Sequence, residues 1–326
     1  AETISITEPI TLTASIALDS NASCNGVANG GATASATGGT VTGAYQFLWD
    51  DPSAQTNASA TGLIAGTYQV VITDDNGCQD STSITITEPT TLVASTSLDS
   101  NAACNGVANG GATASATGGT VLIDYQYLWN DPSAQTNASA TGLVAGTYQV
   151  VITDDNGCQD SASITITEPA LLVASAVVDS NASCSGIADG GATASAIGGT
   201  VTGPYQFLWN DPSAQTNASA TGLLSRTYIV TITDDNGCQD TASVTITEPV
   251  TLTASITLDS NASCNGVADG GATASGIGGT ITGAYAFLWD DPSAQTNASA
   301  TGLAAGTYNV TITDDNGCQD AETITI

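Results

Sequence analysis

The chain of 326 residues carries 31 acidic side chains against one basic one, Arg226, for a formal charge of −30. Such a surface repels phosphate backbones and anionic lipid, so nucleic acid and direct membrane insertion are excluded as partners of this segment. Histidine and methionine are absent, yet charged residues make up only 10% and hydrophobic ones 41%, a balance that folds rather than stays disordered.

Residues 1–6 match the last six residues of the chain, and 1–8 read as the last strand of a preceding repeat. The unit 9–88 then recurs with an 80-residue step as 89–168, 169–248 and 249–326. Eighty residues suit an independent small domain, so four modules in tandem are expected rather than a solenoid of shorter units. Pro9 follows Glu8, and Glu88-Pro89, Glu168-Pro169 and Glu248-Pro249 repeat the pair. Proline fixes its own φ and restricts its predecessor to extended conformations, so these junctions read as short and stiff.

Within the first unit, Ile10, Leu12, Ala14, Ile16 and Leu18 alternate with polar residues as a first strand. A glycine-rich loop around Cys24 follows, then a strand of small residues, Ala32-Thr33-Ala34-Ser35-Ala36, broken by Gly38-Gly39. Tyr45, Phe47 and Trp49 share one face of the next strand, and Asp50-Asp51-Pro52 turns the chain. The polar stretch 53–63 supplies one strand or two. Tyr68, Val70 and Ile72 lead into a hairpin at Asp74-Asp75-Asn76-Gly77-Cys78, with Ile84 and Ile86 returning. Short strands, frequent turns and no helical periodicity predict an all-β fold of four tandem immunoglobulin-like β-sandwich modules arranged as an extended rod. The aromatics fall at core positions, leaving none spare as a sugar-stacking platform.

The eight cysteines occupy two positions per repeat: Cys24, Cys104, Cys184 and Cys264, with Cys78, Cys158, Cys238 and Cys318. Even number and fixed spacing predict disulfides and an oxidising, extracellular setting. If stretch 53–63 is one strand, Cys24 and Cys78 share a pole and pair within the repeat; if two, Cys24 faces Cys158 of the next repeat. Pairing within the repeat is favoured, since each unit then matures alone.

The motifs Cys24-x-Gly26, Gly38-Gly39, Tyr45-x-Phe47-x-Trp49, Leu63-x-Ala65-Gly66-Thr67-Tyr68, Thr73-Asp74-x-Asn76-Gly77-Cys78 and Ile84-Thr85-Ile86-x-x-Pro89 together resemble the SprB-type repeat. That family occurs in large cell-surface adhesins of gliding Bacteroidota exported by type IX secretion. The resemblance implies a structural stalk or filament segment at the cell surface, non-catalytic, whose partners are neighbouring repeats of the same chain and other copies in a filament. The third repeat has Ser225-Arg226 where the others have Ala-Gly; if that glycine needs positive φ, this repeat is the least stable.

No nucleophile and base pair is available for an enzyme. Asp74, Asp75, Asn76 and Asp80, with their copies, are candidate calcium ligands, being hard oxygen donors. Calcium would be the cofactor of the alternative function: a multivalent module contacting polysaccharide, a surface or ice. Asp80-Ser81-Thr82, Asp160-Ser161-Ala162 and Asp240-Thr241-Ala242 fit an Asp-Ser/Thr-apolar O-glycosylation signal, making Ser81, Ser161 and Thr241 candidate acceptors and the chain a candidate glycoprotein.

Overall fold

The computed structural model describes residues 2–326. Every regular element among them is a strand, and none is a helix long and apolar enough to cross a membrane. The first repeat contains β1 (Thr13–Ser20), β2 (Gly30–Thr37), β3 (Gln46–Trp49), β4 (Ser59–Leu63), β5 (Gly66–Thr73) and β6 (Gln79–Ile86). They form two antiparallel three-stranded sheets, β1-β2-β4 and β3-β5-β6, and each later repeat has the same pair of sheets.

The alternation seen in sequence places Val70 and Ile72 inward on β5, both fully buried, opposite the small side chains of Ala32 and Ala34 on β2. Trp49 closes the core, and its indole nitrogen donates to the Asn57 carbonyl at 2.9 Å, so its polar atom is satisfied where the ring is buried. Tyr68, at the start of β5, sends its hydroxyl back to the Ile64 carbonyl at 3.2 Å. This is the tyrosine corner of immunoglobulin-like sandwiches. Ten buried residues make up this core, four of them alanines. Comparable cores lie within 102–166, 192–246 and 252–326, so each repeat is closed on its own. Cores built from so many methyl groups bury little apolar area, which leaves a part for covalent staples.

The registers fix the poles. Leu63 pairs with Gly30 at one end of the first sheet, so β4 runs back toward the Cys24 loop, and β5 then carries the chain to the opposite end. There the hairpin 74–78 meets the loop after β2: Thr40 N donates to Asp74 Oδ2 at 2.8 Å and Asp75 N to the Thr40 carbonyl at 3.1 Å. Cys24 and Cys78 therefore sit at opposite poles. The stretch 53–63 has only one strand, β4, yet the expected consequence does not follow. Residues 50–58 cross from the sheet of β3 to that of β4 without ladder pairing, held by Asp51 and Gln55, and β3 and β4 both run toward the Cys24 pole, so this irregular crossing takes the place of a second strand.

Residues 2–8 lie outside any strand, with Ile4 and Ile6 almost fully exposed, whereas the matching residues at the other end continue the last strand, Gln319–Thr325. The last strand pairs with its neighbour, residues 307–313; among the described residues no strand pairs with 2–8.

By contact density the molecule divides between Glu168 and Pro169 into two compact units of two repeats each.

Candidate functional site: the cystine-linked poles

Within the first unit the Cys24 loop of repeat 1 meets the hairpin of repeat 2, and Cys24 is bonded to Cys158. Within the second unit Cys184 is bonded to Cys318 in the same way. The expected pairing inside a repeat is thus corrected: opposite poles put Cys24 and Cys78 out of reach, while the pole-to-pole contact of successive repeats brings Cys24 to Cys158 at a Cα separation of 5.7 Å. Cys104 and Cys238 are also disulfide-bonded. Cys78 and Cys264, expected in disulfides, are free and exposed thiols.

Polar bonds surround each cystine. Asn156 Nδ2 donates to the Ser23 carbonyl at 2.9 Å, and Asn316 Nδ2 to the Ser183 carbonyl at 2.9 Å. The same loop clamps the junction between repeats. Ala22 N donates to the Thr87 carbonyl at 3.0 Å and Thr87 N to Asn21 Oδ1 at 2.9 Å. Asn25 Nδ2 and Gly26 N donate to the two oxygens of Glu88 at 2.9 and 2.6 Å, and Thr91 Oγ1 reaches Asn25 Oδ1 at 3.0 Å. Glu168 is held equivalently by Asn105 and Gly106, and Glu248 by Gly186. These hydrogen bonds hold the same junction that the sequence marks with a proline. Nothing in the sequence separates Asn25 or Glu88 from other loop polar residues, so the clamp was not legible there.

The acidic hairpin is built as a backbone cradle. Asp74 Oδ1 accepts from Asn76 N and Cys78 N at 3.0 and 2.8 Å, while Oδ2 accepts from Thr40 N. These donors, Thr40 N foremost, hold its carboxyl below the usual aspartate range against the burial that opposes ionisation. Gly39 lies against this carboxylate at φ +65°, where a Cβ would stand 2.8 Å from Asp74 Oδ2, so both conformation and space require glycine. Asp75 accepts from Thr42 and Gly43, and its carboxyl is lowered by those bonds, Thr42 N first. Asp80 Oδ2 turns away to Ala14 N at 2.8 Å.

The candidate calcium ligands are therefore distributed among three separate cradles rather than converged. Among the described residues no group of three or more acidic or cysteine side chains is placed to hold a metal ion. Asp51 forms a further cradle that sequence analysis treated only as a turn former: burial opposes its ionisation, but Ser53 N, Gln55 N and Gln55 Nε2 outweigh that and lower its pKa. Ser81, Ser161 and Thr241 are exposed on β6 and its counterparts.

Arg226 corrects the expectation for the third repeat. Gly66, its counterpart, is not among the glycines with positive φ, and a Cβ there would meet only ordinary contacts with Tyr68. Arg226 fits the strand, lays its guanidinium 4.5 Å from the Tyr228 ring centroid and donates to the Asn210 carbonyl at 2.8 Å.

Fold and linkage together define a tandem array of small immunoglobulin-like sandwiches stapled repeat to repeat. The SprB repeat family model matches residues 20–54, 99–134 and 176–214, one segment in each of the first three repeats, which supports a SprB-type tandem repeat. The fourth repeat follows from the 80-residue step. No curated protein matches the sequence. Among solved structures, the chain is similar to a tetra-tandem repeat from the extending region of a large adhesion protein, at 14% identity over 97% of this chain and 99% of that one, TM-score 0.31. It is also similar to invasin, described as a bacterial integrin-binding protein, at 13% identity over 97% and 79%, TM-score 0.35. Three N-terminal domains of the bacteriophage RB49 highly immunogenic outer capsid protein align at 13% identity over 72% and 99%, TM-score 0.32.

Proposed function

We propose that these repeats form a load-bearing, non-catalytic stalk segment of an extracellular adhesin or surface filament of the gliding type, in which cystines rather than folded cores carry tension. The observation that carries this reading is the bond between successive repeats at a sequence separation of 134. A pull applied at the chain ends crosses from Cys24 directly to Cys158 and from Cys184 directly to Cys318, so the residues between are shielded from extension. Thin alanine-rich cores would otherwise yield first. Disulfides persist in oxidising compartments, which supports a location outside the cell, and solubility of a dense array is served by the acidic surface.

Single-molecule stretching by the termini tests it. In reductant, each 80-residue repeat releases roughly 28 nm on unfolding, at about 3.5 Å per residue. Without reductant such steps disappear from the shielded spans. Traces indistinguishable with and without reductant would refute a covalent load path.

The calcium-dependent binding reading gains no support from the acidic hairpins, whose carboxylates already bind backbone N–H groups. A melting temperature raised by millimolar calcium over chelator would revive it, as linkage requires. We further propose that Ser81, Ser161 and Thr241 carry O-glycans, because all three are exposed within the Asp-Ser/Thr signal; an intact mass of native material equal to the bare polypeptide would remove this.

A further inference from the structure

The clamp at the junction of repeats 1 and 2 closes on an Asn-Gly pair, and Glu88 holds both members of that pair at once. Its Oε2 accepts from Gly26 N at 2.6 Å, and its Oε1 accepts from Asn25 Nδ2 at 2.9 Å. One carboxylate thus touches the backbone nitrogen that can attack the Asn25 amide and the nitrogen that such an attack expels. Thr91 Oγ1 donates at 3.0 Å to Asn25 Oδ1, the oxygen on which negative charge would develop. Gly26, at φ +74°, has nothing within 4 Å of where a Cβ would stand, so no neighbour obstructs a ring closing there. Nucleophile, proton carrier, leaving group and oxyanion donor therefore meet in one loop.

Other parts of the chain vary this arrangement. In repeat 2, Glu168 accepts from Gly106 N at 2.6 Å and from Asn105 Nδ2 at 3.0 Å, but the sequence counterpart of Thr91 is Leu171, which has no hydroxyl. In repeat 3, Gly186 N still donates to Glu248 at 2.8 Å, but residue 185 is serine and has no amide to lose. The hairpin pair Asn76-Gly77 is the same dipeptide held by neutral groups: Gly77 N donates to the Asp74 carbonyl at 3.0 Å and Asn76 Nδ2 to Thr40 Oγ1 at 2.9 Å. The complete set belongs to Asn25.

We propose that Asn25-Gly26 is a self-modifying site, at which Glu88 promotes conversion of Asn25 to aspartate and isoaspartate through a cyclic imide. Glu88 takes the proton of Gly26 N as that nitrogen bonds to Asn25 Cγ, while the Thr91 hydroxyl meets the charge on Oδ1. The carboxyl then gives the proton to Nδ2 as the Cγ–Nδ2 bond breaks, and ammonia leaves. Water opens the imide: attack at Cγ restores the peptide bond to Gly26 beside an aspartate side chain, and attack at the main-chain carbonyl leaves isoaspartate. One water is consumed, one ammonia is released, nothing is oxidised or reduced, and Glu88 is regenerated. The product carries a carboxylate where Nδ2 stood, facing that of Glu88, and it loses the bonds to Glu88 Oε1 and to the Pro89 carbonyl. The reaction runs once and releases the clamp that promoted it, so the junction between the two repeats carries a timer, whether or not the cystines bear load.

The test follows ammonia loss and isoaspartate at Asn25 and Asn76 by peptide mapping of the 326-residue chain incubated at neutral pH. The expected result is faster reaction at Asn25 than at Asn76 in the folded chain, and equal rates for the two in urea. Glu88→Gln keeps the size of the side chain but cannot carry the proton; it should slow Asn25 roughly 100-fold, the low end of what a positioned proton carrier contributes, and leave Asn76 unchanged. Thr91→Val should slow Asn25 less, since water can replace the hydroxyl. Circular dichroism and an intact Cys24–Cys158 bond confirm that each variant is folded. A faster reaction in Glu88→Gln would show that the carboxylate protects Asn25 by holding Gly26 N, and would overturn the proposal. So would an unchanged rate in that variant, or an Asn25 no faster than Asn76 in the folded parent. Ammonia loss that joins the peptides of Asn25 and Thr91 would make the threonine hydroxyl the nucleophile and overturn it as well.

Discussion

The loop 21–28 and its copy 261–268 are identical in sequence and differ in surroundings. The first covers a junction and a hairpin: Ala22 is buried and Cys24 half-buried in its disulfide. In the second, Ala262 is only half-buried and Cys264 exposed. Both loops keep the bond from Ser23 N or Ser263 N to the side chain six residues on and that from Val27 N or Val267 N to the cysteine carbonyl, so the loop's conformation is encoded within the repeat while its burial and covalent chemistry belong to the pair of repeats. The hairpins teach the same lesson, with Cys158 engaged and Cys78 free on one backbone shape.

The largest effect that separates the two states is the staple. Cys24→Ser should lower the stability of the first unit by about 5 kcal/mol, the chain-entropy expectation for a loop of this size. Cys78→Ser, on an identical hairpin with nothing docked, should leave it unchanged. Denaturant unfolding of both variants beside the parent reads the contrast. Equal losses would mean that the cysteines matter for packing in each hairpin rather than for joining two of them.

Acid should act on both hairpins, because the backbone donors that lower Asp75 and Asp155 lie within each one's own repeat. Asp51, Asp74 and Asp75 have pKa values below the ordinary aspartate one, so their stabilisation is present above the unfolded value and is lost as pH falls through the folded ones. The melting temperature should be flat from about pH 5 to 8 and decline below about pH 4. A decline beginning near neutrality would point to groups other than these aspartates.

Strands, aromatic core, hairpin and the 80-residue step were legible because each is a short-range pattern: alternation at Tyr68, Val70 and Ile72, and Asn76-Gly77 between two such runs. The cystine partner was not. It depended on whether residues 50–58 cross the sandwich, and they do so as irregular chain pinned by Asp51 and Gln55, a course without periodicity. The acidic hairpin misled for a related reason. Aspartates that could ligate calcium and aspartates that cap backbone N–H groups have the same composition, and only the positions of Thr40, Thr42 and Ala14 across the fold distinguish them. The condition set on the third repeat, a positive φ at the glycine that Arg226 replaces, is not met, and a glycine in sequence does not reveal its φ.

The smallest effect sharpens the comparison at the junctions. Glu8-Pro9 and Glu88-Pro89 are the same dipeptide, but only Glu88 is gripped by the Asn25 and Gly26 donors of a preceding loop. A hydrogen bond to a charged acceptor contributes about 1.5–3 kcal/mol, reduced at an exposed site by competing water. Glu88→Ala should therefore cost about 1 kcal/mol, and Glu8→Ala should cost nothing measurable. Amide hydrogen exchange resolves the location as well as the size: protection should fall at Gly26 and around residues 87–91 while Val70 and Ile72 in the core keep theirs. Loss of protection spread evenly over repeat 1 would assign Glu88 to the stability of the sandwich. Loss confined to the loop and junction would assign it to the coupling between repeats, the property in which the docked loop differs from its undocked copy.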